Sequence, residues 1–152
     1  MKTRYFLDCE FDSHGGALLS MALVTDYNRS LYITTNEQPK DPWVIDNVVL
    51  KLDDYSTIDT LALSIPVNKV GFYLRSFIRD KSPLIVADSP VDIGRLCQAI
   101  STDPDGNWQS TDYPSMTFLV ENVDCYPTTL KDAIQHNAWH DARALRQKLM
   151  HL

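Results

Sequence analysis

The run from Arg4 to Asp12, RYFLDCEFD, constrains this chain more than any other stretch. It is apolar and aromatic-rich and reads as a β-strand, on which side chains two apart share a face, roughly 6.6 Å apart along it. Asp8 and Glu10 therefore stand on one side. Tyr5, Leu7, Cys9 and Phe11 occupy the other side and can be buried, while Phe6 continues the acidic side downward into core. Carboxylates at the end of a buried strand carry a large desolvation cost unless something positive neutralises them. A divalent cation meets that need, whereas a frayed strand end in solvent would make the pair unremarkable.

At 152 residues and 44% hydrophobic composition, the chain is expected to form one domain, 1–152, with a proper core. Cys9, Cys97 and Cys125 are far apart and odd in number, which argues for reduced thiols and against a zinc or disulfide framework. No leader-like segment precedes the strand and no run of about 18 apolar residues occurs, so a cytoplasmic protein without membrane contact is expected. The net charge of −6 gives a whole-molecule field that does not attract nucleic acid, which counts against a nonspecific coat protein. An enzyme whose acids gather metal ions is not excluded, because the ions supply local positive charge.

Along the chain, a turn at 13–16 leads to a second strand, Ala17 to Val24, and a third follows at Leu31 to Thr35. Trp43 to Leu52 has helical spacing, with Val44, Val48 and Leu52 in one stripe, and Pro66 opens an amphipathic helix to about Asp80. Pro83 to Ala87 reads as a strand buried on both faces, and Ser89-Pro90 opens a helix with Ile93, Leu96, Cys97 and Ile100 as its stripe. After a turn-rich loop at 103–107, Ser115 to Val120 is a fifth strand. Thr128 or Thr129 caps a helix to about Gln135, and a last helix starts near His140. The expected class is α/β with a mixed five-stranded sheet, three strands antiparallel and the later ones parallel, flanked by helices.

Two more acids fall at helix starts. Asp92 shares a stripe with Leu96 and Ala99, and Asp141 precedes Leu145 and Leu149 by four and eight residues, so each acid borders a buried face at a helix N-terminus. Either one alone reads as a capping device. Together with Asp8 and Glu10 at the same sheet end they form a cradle for two hard divalent ions, Mg²⁺ or Mn²⁺. His136 lies five residues before Asp141, about 140° away on a continuous helix, so a break near Asn137 is expected to present the imidazole beside the metals. A neutral imidazole there is suited to accept a proton from water. His140 and His151 are nearby competitors, but the spacing favours His136.

The segments LDCEF (Asp8, Glu10), ADSPVDIGRL (Asp92) and HNAWHDARAL (His136, Asp141) resemble, in order and spacing, the three motifs of DEDDh-type 3′–5′ exonucleases, which have the ribonuclease-H-like fold. The short length and DPWVIDNVVLKL resemble the small exoribonuclease-like branch found in bacteria and their phages. The chain departs from many relatives in having Phe11, Asp12 and Ser13 after the first acid pair and Asp88 where they have Asn. The resemblance implies two-metal hydrolysis of the terminal phosphodiester at an RNA 3′ end, releasing nucleoside 5′-monophosphates, with His136 as general base. It further implies that Asp8 bridges both ions, that Glu10 and Asp141 complete one shell, and that Asp92 orients waters of the other. Phe11 and Asp12 are then expected at the terminal nucleotide, and Trp43 is a candidate for base stacking or for plain packing. Single-stranded DNA is the competing substrate, and a non-cutting binding module the competing class. The acidic surface implies local substrate contact or basic residues from another chain, as in a homo-oligomer.

Overall fold

In the computed structural model the described residues are 2–152 except Pro104, Gly106, Trp108, Gln109, Ser110 and Asp112. Their strands are β1 (Arg4–Phe11), β2 (Leu18–Thr25), β3 (Ser30–Thr34), β4 (Thr60–Ser64), β5 (Leu84–Ala87) and β6 (Thr117–Val120). They form one mixed sheet in the order β4-β3-β2-β1-β5-β6. The first three strands pair antiparallel, as expected, while β5 runs parallel to both β1 and β6. The helices are α1 (Pro42–Asn47), α2 (Val70–Phe77), α3 (Pro90–Ile100) and α4 (Ala138–Met150). None of the helices is long and apolar enough to cross a membrane.

The alternation read in β1 sets the layers. Tyr5, Leu7 and Cys9 pack with Val70, Leu74 and Phe77 of α2 and Leu96 and Ile100 of α3 on one face of the sheet. Phe6 packs on the other face with Ala138, Trp139, Ala142 and Leu145 of α4. Burial of a side chain such as Leu7 contributes about 1.5–3 kcal/mol by transfer alone, so the sheet is pinned from both sides. A third small cluster, Leu19 with Val44 and Val48, seats α1 as the helical stripe predicted.

Three expectations are corrected. The sheet has six strands among the described residues, not five: β4 adds to the edge of β3 in parallel, with Leu61 opposite Leu31 and Leu63 opposite Ile33. Its five residues carry the Leu61/Leu63 alternation, but breakers on both sides mask so short a signal. No helix runs from Thr128 to Gln135. Thr128 instead caps a turn through the Leu130 N–H, and Asp132 and His136 have left-handed backbone (φ 59° and 66°) that a helix cannot contain. The helix expected over 43–52 is two pieces, α1 and a 3₁₀ turn at Val49–Lys51, and a similar turn at Val67–Lys69 precedes α2. Of the loop expected at 103–107, Pro104 and Gly106 lie outside the described residues. Asp103 there accepts the N–H groups of Asp105 and Asn107.

Candidate functional site

Asp8 is the hub. Its carboxylate lies with those of Glu10 and Asp141 in one group and with those of Asp88 and Asp92 in another, the ligand-capable oxygens of each group all within 4.8 Å of one another. Each arrival has a local cause. Asp8 and Glu10 come from alternate positions of β1, and a register shift at Glu10/Phe11 ends the regular ladder there. Asp88 follows the last residue of β5, and Asp92 sits in the first turn of α3, which Ser89 caps by accepting the Val91 N–H and Pro90 starts. Asp141 sits in the first turn of α4, whose cap is Asn137, accepting from the Trp139 and His140 N–H groups.

Electrostatically the cluster is frustrated. Burial raises the Asp8 carboxyl well above the usual range, and Asp141, Asp92, Glu10 and Asp88 push it further. Burial likewise lifts Glu10 to about 8 and Asp92 to about 7, and Asp88 is raised by the same cause. A hydrogen bond between Glu10 and Asp141 raises the first and lowers the second. Among the described residues no arginine or lysine forms an ion pair with any of these five acids. Lys51 and Arg95 lower Glu10 and Asp92 only as secondary influences. One Asp8 oxygen, Oδ2, is buried without any hydrogen-bond partner. An orphaned carboxylate oxygen among all-oxygen donors fits hard divalent cations such as Mg²⁺ or Mn²⁺.

Asp141 is fixed by its neighbours. The Tyr126 hydroxyl donates to its Oδ1 at 2.7 Å and the His136 N–H to its Oδ2 at 3.0 Å. Asn137 ends the non-helical stretch, as the break expected there requires, and leaves the His136 ring edge-on to Trp43 with centroids 5.0 Å apart. Burial, and then the charge of Lys51, lower the His136 pKa, so the imidazole is neutral near pH 7 and able to accept a proton. His140 is buried elsewhere, its Nε2 3.0 Å from Asp54 Oδ1.

The expected substrate contacts divide. Asp12 does not face a ligand: it is 8% exposed, and its two oxygens accept the Lys40 and Asp41 N–H groups at 2.8 and 3.0 Å. Direct contact is replaced by a latch, because Asp41 caps α1 and α1 carries Trp43 to His136. Trp43 is 53% exposed, with part of its ring open. The Phe11 ring lies under the Arg95 guanidinium at 4.5 Å. Reading the sequence missed Asp88 as a member of the cluster, although its place directly after a buried strand was visible. It also missed Tyr126, for which no sequence signal exists, and the Asn137 amide, which donates to the Lys51 and Asp54 carbonyls and ties α4 to the segment after α1. No protein-family model matches the chain, and no curated protein matches it.

Proposed function

We propose that the chain is a metal-dependent 3′–5′ exonuclease of the DEDDh type with a ribonuclease-H-like fold, acting on RNA. The observation that carries this reading is the meeting of Glu10, Asp141 and Asp92 at Asp8, one of whose oxygens is buried and unpartnered. The antiparallel β1–β3 unit followed by parallel β5 and β6, with helices on both faces, supports the fold assignment, β4 being an added edge. Asp8, Glu10 and Asp141 would hold one divalent cation, and Asp8, Asp88 and Asp92 the other. The chemistry such ions supply when bound is the positive charge that activates water and stabilises the departing 3′-oxygen.

The rest falls to the chain's own groups. His136, kept neutral, takes the proton of the attacking water. Tyr126 and the His136 N–H hold Asp141 in one orientation, so the carboxylate loses no freedom as substrate arrives. The open face of Trp43 offers a base-stacking surface beside His136. The test is incubation with labelled RNA and DNA oligonucleotides bearing free or blocked 3′ ends, in Mn²⁺, Mg²⁺ or chelator. Metal-dependent laddering from free 3′ ends of RNA is the expected result. Preference for DNA would reassign the substrate, indifference to 3′ blocking would indicate an endonuclease, and no product in any metal would leave a binding module.

A further inference from the structure

A cavity of about 730 Å³ opens between the β1–β2 turn and α3, and one of its lining residues, Arg95, stacks on Phe11. That volume is within the roughly 300–1,000 Å³ typical of small-ligand sites. Gly94 forms part of its wall, in the interior of α3. A glycine there weakens a helix relative to alanine and needs a reason. Gly71 of α2 has one: a Cβ would lie 2.2 Å from the Ala99 carbonyl oxygen. Gly94 has none within the protein, since a Cβ there meets nothing within 4 Å and would project into open space. Close approach of a ligand to the helix backbone supplies the missing reason.

We propose that this groove seats a nucleobase of the same single strand whose reacting end lies at the carboxylates, one or more nucleotides away from it. The placement of that end rests on the nuclease reading above. The wall chemistry selects a base over a phosphate. Asn68, Gln98 and Thr102 offer neutral donors and acceptors, the exposed side chains of Val67 and Val91 offer apolar surface, and Glu37 repels an anion. The one arginine of the wall, Arg95, sits at the end nearest the acids: it is three residues from Asp92, stacks on Phe11 and lowers Asp92. A phosphate passing from the carboxylates to the groove would cross it.

The test is calorimetric titration of the intact protein, in Ca²⁺, with uridine 5′-monophosphate and with oligouridylates of two and four residues. The wild-type protein is expected to bind the longer ligands at least tenfold more tightly than the monophosphate. Gly94→Leu, which fills the groove with a better helix former, is expected to abolish most of that gain while keeping or raising the melting temperature. Gly94→Ala, whose single methyl enters the space the ligand occupies, loses a smaller part of it, and Gln98→Trp, one turn further along the exposed face, repeats the larger loss by a second route. No gain with length in the wild-type protein, or a gain that survives both Gly94→Leu and Gln98→Trp, overturns the proposal. Laddering without a length gain leaves the nuclease and removes the groove. A length gain that Gly94→Leu abolishes, without any laddering, keeps the groove as a strand-binding site and removes the nuclease.

Discussion

On one face of β1, Tyr5, Leu7 and Cys9 are enclosed by α2 and α3, and the Tyr5 hydroxyl finds the Asp80 carboxylate. On the other face, one residue along, Phe6 gives way to Asp8 and Glu10 at the foot of α4. Both faces are buried by the same fold, yet only the first finishes its interactions inside the protein. The second keeps an unpartnered oxygen, two acids hydrogen-bonded to each other and a pile of like charge. A folded chain tolerates such an arrangement when something from outside completes it.

The contrast is broken most severely by one substitution on each face. Leu7→Ala should cost about 2–5 kcal/mol of stability, seen in chemical denaturation, because the α2/α3 side cannot collapse into the cavity. Asp8→Asn should leave the metal-free protein as stable as the wild type or more so, while lowering metal affinity and turnover at least about a hundredfold, a floor set by the loss of mere ligand-supporting groups. An Asp8→Asn protein destabilised like Leu7→Ala would show that the acid face is ordinary packing. His136→Ala should keep the melting temperature and metal binding and lose about 10²–10⁴ in turnover, measured on a 3′-labelled strand. Full turnover in that variant would remove the imidazole as base.

The same contrast should appear as pH dependence. The raised carboxyls, Asp141 to about 6, Asp92 to about 7 and Glu10 to about 8, bind more protons folded than unfolded between pH 4 and 8. Metal-free stability should therefore be greatest at about pH 4 and below, as far as these groups decide it, and fall as pH rises from there to about 8, by up to about 1.4 kcal/mol per pH unit for each such carboxyl. Millimolar Mn²⁺ should raise the melting temperature most at the alkaline end and flatten the slope. A metal-free protein whose stability rises across that window would refute the frustrated cluster. The smallest effect is expected from Asn137→Ala, about 1 kcal/mol for the lost helix cap, with further loosening of the segment after α1 visible in hydrogen exchange at Lys51 to Asp54.

Much of this was legible in the residues because periodicity carries it. Alternation along β1 separated the acids from the core residues, the stripes of α3 and α4 put Asp92 and Asp141 at helix starts, and the spacing from His136 to Asp141 required the break at Asn137. β4 was missed because five residues between breakers give too little pattern. The helix over 128–135 was expected because Thr128 has the chemistry of a cap, but the backbone at Asp132 and His136 is left-handed, which that cap chemistry does not reveal. Asp12 misled for the same reason. A carboxylate just past an acid pair looks like its third member, and only the distant Lys40 and Asp41 N–H groups disclose it as a fastener.

The docking of α4 has a consequence for the order of events on the ribosome. This helix covers Phe6 and Val86 and also delivers Asp141, so a nascent chain that has emerged only through β6 has both a bare apolar flank and an incomplete acid set. Burial of the one and completion of the other hang on the same docking of α4, so any ion-dependent chemistry at Asp8 waits on that helix.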